Sequence, residues 1–404
     1  EEEVVMGTPR RKSGVLAGEV EPYREWLLAQ GYSSASVITL LRTVSQLGVW
    51  LQARGMAGTE IDPDEVRQMF AARRRLGRHG VPGEPGMGRF LTFLAGRGLL
   101  APAAPLEPSP LEVLMASFRD WMVRERGLAG GTVIRYERTA RRFLAEQVLR
   151  ADALDVAGLT GADVNAFLLR ECARVSAGSV KGRVAELRAL FRFLYIEGLI
   201  PLQLGGAIPP VGGWRLATIP RLVSAEDAQR VIDSCDAGTV AGARDLAIML
   251  LVARLGLRSV EVARLELEDV DWRHGELTVH GKGRREDRLP LPTDVGEALS
   301  DYLAGRGRVE GARRVFFTCR APHGPILPGV VGEVLGRGCK RAGIPQFGPH
   351  RLRHALAGEL LRQGVGLVAI SQVLRHQDLA TTALYAKVDL PALRQVAQPW
   401  PAVS

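Results

Sequence analysis

The sequence predicts a mainly α protein with a small β-sheet, arranged as two helical bundles in tandem followed by a larger α+β domain. Three observations carry that reading. Apolar residues recur at helical spacing through residues 20–200 and stop at glycines, one helical plan is written twice, and a single alternating stretch in the second half returns on itself as a hairpin.

Residues 1–19 are polar, with Pro9, Arg10, Arg11 and Lys12, and are expected to form a flexible arm. Over 20–100, four groups mark helices: Tyr23, Trp26 and Leu27; Val37, Leu41, Val44, Leu47 and Leu51; Val66, Met69 and Phe70; and Phe90, Phe93 and Leu94. Gly31, Gly55 and Gly98 act as stops. Residues 111–200 repeat the plan. Tyr23, Arg24, Glu25, Trp26 is answered by Phe118, Arg119, Asp120, Trp121, and Arg42, Thr43 by Arg138, Thr139. Phe93, Leu94 is answered by Phe193, Leu194, and Gly98, Leu99, Leu100 by Gly198, Leu199, Ile200, all in the same order and at nearly constant offset. A duplicated helical domain explains that order. The second copy carries Lys181, Arg183, Arg188 and Arg192 near its last helix, where the first has only a glycine-broken stretch at 81–88, so these four are the better candidates to meet a polyanion.

Between the copies, 101–110 holds Pro102, Pro105, Pro108 and Pro110 and reads as a semi-rigid linker, roughly 30 Å long if polyproline-like. A second linker, rich in Gly and Pro, is expected over 201–221. The last domain, 222–404, opens with Ser224 and Asp227 as a helix cap. An apolar helix at 246–255 ends at Gly256, with Arg258 and Glu261 following. Residues 276–280 alternate, Gly281, Lys282 and Gly283 break, and 288–291 return. In the tail, 389–404, Leu390, Leu393 and Val396 continue from Val388 as an apolar stripe too short to bury itself.

The formal net charge of +9, from 53 Lys and Arg against 44 Asp and Glu, favours a polyanionic partner. Four widely spaced cysteines with no CxxC pair argue against a disulfide framework or zinc site and for a reducing compartment. No apolar run reaches the ~18 residues of a membrane span, and Glu1, Glu2 and Glu3 are not a basic-then-apolar leader. A cytoplasmic protein without a membrane partner is expected.

The chemistry concentrates near the end, in His350, Arg351, Arg353 and His354, then Arg375 and His376, then Tyr385. Three residues apart on a helix, His350 and Arg353 can converge on one anionic group. If Tyr385 attacks a phosphodiester, its phenol, with an ordinary pKa of about 10, needs a proton acceptor, and His350 is the candidate. Arg258 and Arg353 would clamp the non-bridging oxygens while His376 donates a further hydrogen bond. Lys282, at the hairpin tip, would protonate the leaving 5′ oxygen. The arginines supply the charge, so neither metal nor cofactor is expected. Singly, each residue has a plainer use, Arg258 as a helix cap or Lys282 as a solvated turn; the joint set points to phosphoryl transfer.

Gly256, Leu257, Arg258, Glu261, Leu265, Asp269, Val270 and Asp271 together resemble the first signature of tyrosine site-specific recombinases, the phage-integrase and Xer group. Gly281, Lys282 and Gly283, with Asp287, Arg288, Leu289, Pro290 and Leu291, are similar to that family's lysine-bearing hairpin. His350, Leu352, Arg353 and His354 match its HxLRH box, and Leu374, His376, Thr381, Thr382 and Tyr385 its closing box. The resemblance implies a catalytic set of Arg258, Lys282, His350, Arg353, His376 and the nucleophile Tyr385, supported by Glu261 and His354. It implies SAM-like core-binding domains at 111–200 and, as a divergent copy, 20–100, with the recombinase catalytic domain after them. The partner is then double-stranded DNA with specific recombination sites, contacted by Lys181, Arg183, Arg188 and Arg192. DNA would be cut and rejoined through a 3′-phosphotyrosine and a Holliday junction, by a dimer on each site and a tetramer in the synapse held by the C-terminal tail. An accessory or partner recombinase stays open. The extra domain at 20–100 points to integration, excision or transposition of a mobile element, with Xer-type dimer resolution and type IB topoisomerase-like strand transfer as alternatives. Two positions depart from the pattern, Arg375 where glycine is common and Ala355 where Ser or Thr is common, and neither is assigned a catalytic role.

Overall fold

The computed structural model describes residues 13–77, 84–101, 108–151, 154–175, 177–209, 223–281, 285–307, 311, 313–376 and 382, of which 84, 85, 149–151, 177 and 178 are described by backbone alone. The chain divides into two compact units, one comprising 1–102 with 219–404 and the other 103–218. Buried apolar side chains gather into three main clusters, in the first bundle, the second bundle and the C-terminal region.

The first bundle contains α1 (Val20–Ala29), α2 (Ser34–Ala53), α3 (Pro63–Arg75) and α4 (Glu84–Gly96). Ser33 and Asp62 cap α2 and α3 by accepting backbone N–H groups, and Pro63 occupies the first turn, where its missing donor costs nothing. The stops at Gly31, Gly55 and Gly98 lie at φ +82°, +67° and +67°, which a residue with a Cβ adopts only with strain. One expectation needs correction. The flexible arm does not extend to residue 19, because a 3-10 helix at Gly14–Glu19 folds onto α2 and buries Leu16 in the same core as Leu47 and Leu51. A Cβ on Gly14 would stand 2.2 Å from the Gly48 carbonyl oxygen, so the approach is as close as backbone allows. Residues 1–12 lie outside the described residues.

The second bundle contains α5 (Pro110–Arg124), α6 (Gly130–Ala151), α7 (Gly161–Arg174) and α8 (Ala177–Ile196). Three rings of its aromatic core reproduce a set in the first. Tyr23 and Trp26 stack at 6.0 Å and 20°, Phe118 and Trp121 at 6.1 Å and 19°. Phe93 meets Trp26 at 5.9 Å and 57°, and Phe193 meets Trp121 at 5.8 Å and 52°. The repeated sequence therefore builds a repeated packing unit, with side chains from the first and last helices of each bundle interlocked. The last helices differ: α8 has 20 residues and α4 has 13. Both linkers are shorter than expected. Ser109 and Pro110 already start α5, and at the other end Leu204 and Ile208 are buried in the second core while Arg188 donates to the Ile208 carbonyl at 3.0 Å. Residues 102–107 and 210–222 lie outside the described residues.

The C-terminal region runs α9 (Ala225–Asp233), α10 (Val240–Leu255), α11 (Ser259–Arg264), β1 (Val270–Asp271), β2 (Glu276–His280), β3 (Glu286–Pro290), α12 (Thr293–Arg306), α13 (Pro328–Arg341), α14 (Pro349–Arg362) and α15 (Leu367–Val373). Ser224 caps α9 as expected, accepting the Asp227 N–H at 2.9 Å. The strands form one antiparallel sheet in the order β1-β2-β3, with Leu277 opposite both Val270 and Leu289. Leu277 and Val279 point into the core as the alternation requires. The two-residue β1 was not expected, being too short to show any period. Helix α10 is the hub, with Ala247, Ile248, Leu251, Val252 and Leu255 among its buried residues. Among the described residues no helix is long and apolar enough to cross a membrane.

If residues 13–19 belong to the first bundle, Leu16→Ala should lower that bundle's stability by ~2–5 kcal/mol, the range for a buried leucine truncation. Chemical denaturation of the full chain checks this; an unshifted first-bundle transition would restore the flexible-arm reading.

Candidate functional site

The site grows from the end of α10. Gly256 takes φ +58°, turning the chain sharply, and a Cβ there would meet Leu374 Cδ2 at 2.8 Å. Glycine thus serves both the left-handed turn and the close approach of the segment before His376. Arg258 follows as the N-cap of α11, with Glu261 at the third helical position. The Glu261 carboxylate reaches back to accept the Arg258 backbone N–H at 2.8 Å and its Nη1 at 2.6 Å. The carboxylate also accepts Arg375 Nη2 at 3.0 Å, while Arg258 Nη2 donates to the Arg375 carbonyl at 2.9 Å.

Glu261 is only 5 % exposed. Burial pushes its carboxyl upward, but the Arg258 N–H and the Arg375 and Arg258 guanidiniums outweigh that and hold it below the usual carboxylate range. It is therefore a buried anion with two cationic partners. Arg258 keeps a third of its side chain exposed, so its charge is anchored from below and open above.

Helix α14 brings the HxLRH residues. Pro349 at the first helical position starts it, and the four residues split by exposure: Leu352 and Arg353 are buried, His354 is half-buried and His350 is exposed. Arg353 donates to the carbonyls of Gly256 and Leu374, which ties α14 to the end of α10 and to the end of α15. His354 is held below the ordinary imidazole range by burial first, then by His350 and Arg353. His376 Nδ1 lies 2.8 Å from Thr382 Oγ1, and Thr382 is fully buried. Burial and the surrounding cations Arg353, Arg258 and Arg375, with His354, push His376 down to about 4, so at neutral pH its ring is uncharged.

The structure therefore brings Arg258, Glu261, Arg353, His354 and His376 together on three segments. His350 stands at the start of α14, one turn from Arg353. Lys282 and Tyr385, like the tail 389–404, lie outside the described residues. The hairpin that carries Lys282 closes through Gly281 N–H to the Arg285 carbonyl at 2.7 Å, and the strand end next to that turn is pinned where His280 Nε2 meets Asp269 Oδ1 at 2.7 Å. In the second bundle Lys181, Arg188 and Arg192 are exposed, whereas Arg183 is mostly covered and paired with Glu186 at 2.7 Å and Glu171 at 3.4 Å.

Residues 221–390 match the phage integrase family. Over 97 % of its length the chain is 35 % identical to a putative integrase/recombinase, y4rA, of Sinorhizobium fredii, covering 96 % of that protein. It is also 29 % identical to the tyrosine recombinase XerD of Listeria monocytogenes, over 70 % of this chain and 96 % of the relative. The chain belongs to the tyrosine recombinase family. Its fold agrees: the XerH site-specific recombinase in a complex with palindromic difH substrate aligns with a TM-score of 0.56 at 18 % identity, over 74 % of this chain and 99 % of that one. A lambda integrase fragment, in a dimer bound to a core site, aligns at 0.52 and 17 % identity, over 72 % and 98 %.

Sequence reasoning missed two parts of this recombinase's site. Thr382 was seen only as part of a motif, not as the partner of His376. Arg375 was noted where the resemblance has glycine, directly before the histidine, but was given no role, although it is buried to 5 % exposure and sits at φ +53°, a left-handed conformation that costs a residue with a Cβ about 1 kcal/mol or more.

The depressed His376 pKa has a checkable sign. An unfolded imidazole takes up its proton near pH 6.5, so between there and about pH 4 the unfolded chain binds more protons, and stability falls as pH drops through that window. In a proton NMR titration the His376 ring signals should stay at their neutral positions down to about pH 4. Those of His274, raised by its hydrogen bond to Asp271, should shift above the ordinary imidazole range. A His376 midpoint near 6.5 would contradict the account.

Proposed function

We propose that this tyrosine recombinase cuts and rejoins double-stranded DNA at specific recombination sites through a 3′-phosphotyrosine intermediate and a Holliday junction. The observation that carries the reading is that Arg258, held by the buried Glu261 carboxylate, Arg353, held by the Gly256 and Leu374 carbonyls, and the neutral His376, whose pKa both arginines lower, are gathered at one turn. A phosphodiester transition state gathers negative charge on its non-bridging oxygens, and preorganised donors are worth most where that charge develops. Arg258 and Arg353 clamp those oxygens. We assign the Thr382 hydroxyl as the donor to Nδ1, which puts the proton of the neutral His376 on Nε2, where it donates the further hydrogen bond. Tyr385 Oη attacks phosphorus and passes its proton to His350, while the bond to the 5′ oxygen breaks and Lys282 protonates that oxygen. Rejoining runs the same steps backward with the 5′ hydroxyl of the partner strand.

The assembly we infer is a dimer on each site and a tetramer in the synapse, with the tail 389–404 docking on a neighbouring subunit. In support, a groove lined by the apolar Ala228, Ile232, Ala253, Leu356 and Leu360 together with Gln229, Arg254, Glu359 and Gln363 offers a surface suited to such a stripe. Integration, excision or transposition of a mobile element is favoured over chromosome-dimer resolution. Two Sinorhizobium integrase/recombinases align over 97 % of this chain, including the extra bundle, whereas the XerD proteins of Listeria monocytogenes and Mycobacterium leprae align over 70 % and 71 %. The extra bundle, 20–100, then extends the contact along the duplex beyond the core site, and the exposed Lys181, Arg188 and Arg192 of the second bundle are the groups offered to the phosphates.

Tyr385→Phe should bind a suicide substrate normally yet form no covalent adduct, read by denaturing gel. Lys282→Ala should cleave slowly and recover much of its rate when the bridging 5′ oxygen is replaced by sulfur, a better leaving group. An adduct in Tyr385→Phe would move the nucleophile elsewhere. Tyr302 is ill suited to replace it, being 1 % exposed with its hydroxyl accepting the Phe317 N–H and its pKa raised by burial.

A further inference from the structure

We propose that Arg375 is a positioning residue of the cleavage site, supplying from beneath the buried positive charge that leaves Arg258 free to act on the scissile phosphate. The inference rests on the reading of Arg258 and Arg353 as the phosphate clamp.

Arg375 joins the groups that hold that clamp. Its Nη2 donates to Glu261 Oε2 at 3.0 Å and to the Gly256 carbonyl at 3.2 Å, and its Nη1 to the Leu255 and Val373 carbonyls at 3.3 and 3.1 Å. Its own carbonyl accepts Arg258 Nη2 at 2.9 Å. The carbonyl before it, on Leu374, accepts Arg353, and the next residue is His376. The residue thus joins the end of α10, Glu261, Arg258 and the segment bearing the histidine. It does so at φ +53° and 5 % exposure, so neither the backbone nor solvation favours an arginine there. Among the described residues its Nε has no hydrogen-bond acceptor. A side chain kept under those handicaps is compensated only by the groups it joins.

Charge counting says what it adds. Arg258 and Glu261 alone form a neutral pair, and a carboxylate this deeply buried would draw its single guanidinium inward. With Arg375 as second partner, the Glu261 anion is shared by two cations, so it no longer neutralises Arg258 alone. The geometry matches, since the Arg375 guanidinium is buried whereas Arg258 keeps a third of its side chain exposed.

The test compares single-turnover cleavage of a normal suicide substrate with one carrying a methylphosphonate at the scissile position. The methylphosphonate has no negative charge and so does not call for the cationic clamp. Arg375→Gly relieves the backbone and removes the guanidinium. It should bind DNA within about twofold of the parent, cleave the phosphodiester on the order of 10²-fold more slowly, and cleave the methylphosphonate within a few-fold of the parent. Arg375→Lys, which keeps a charge but cannot span the same carbonyls, should fall between the parent and Arg375→Gly, and serves alone if the glycine variant does not fold. Parent-like phosphodiester cleavage by Arg375→Gly, equal defects on both substrates, or a lysine variant as slow on the phosphodiester as on the methylphosphonate relative to the parent would each overturn the proposal. If the parent protein itself gave no Tyr385 adduct, the reading of the site would fail instead, so the two failures are distinguishable.

Discussion

The placing of Arg258 and Arg375 depends on one buried carboxylate. Glu261 could not be ionised at 5 % exposure by itself, because removing a charge from water costs several kcal/mol even after relaxation. Two guanidiniums and a backbone N–H offset that cost, and in doing so they fix each other. Arg258 is held by a bond at each end of its fork, one to the carboxylate and one to the Arg375 carbonyl. The turn at Gly256 makes this possible: its carbonyl is shared by Arg353 and Arg375, and its missing Cβ admits Leu374. Residues more than a hundred positions apart in sequence are thereby set in one rigid frame, which is what preorganised electrostatic catalysis requires.

Around that frame the fold divides the labour. The hub helix α10 is apolar on nearly every face and ends at the turn, so the core that stabilises the C-terminal region also aims its first arginine. The two N-terminal bundles solve a separate packing problem twice, with the same three-ring contact. Their charged faces differ in design. In the second bundle Glu186 and Glu171 draw Arg135, Arg142 and Arg183 into ion pairs, leaving Lys181, Arg188 and Arg192 as its exposed basic groups near the last helix. A bundle that satisfies some arginines internally and presents others keeps its shape while offering charge to a polyanion.

Much of this was legible in the sequence, for identifiable reasons. The repeat was visible because aromatic residues and glycine stops cannot drift without breaking the core, so Tyr23, Trp26 and Phe93 have partners in Phe118, Trp121 and Phe193. The hairpin was visible from alternation at 276–280. What escaped reading depends on long-range contact. Leu16 looked like part of a polar arm because its burial against α2 leaves no local period, and Leu204 and Ile208 looked like linker for the same reason. Arg183 looked equivalent to Arg188 and Arg192, yet a helical turn separates a covered arginine from exposed ones. Arg375 was named but left without a role, because spacing cannot tell that a guanidinium beside a histidine turns inward to a carboxylate 114 residues away.

The central claim is that the Glu261 charge, shared between Arg258 and Arg375, organises the clamp. Its most direct test is Glu261→Gln, which keeps the size and shape of the side chain and removes only the charge. Single-turnover formation of the Tyr385 adduct on a suicide substrate, measured with DNA affinity and thermal stability alongside, should fall on the order of 10²-fold while affinity stays near that of the parent. Adduct formation at the parental rate by a folded Glu261→Gln protein would contradict the account, since the clamp would then stand without the carboxylate said to hold it.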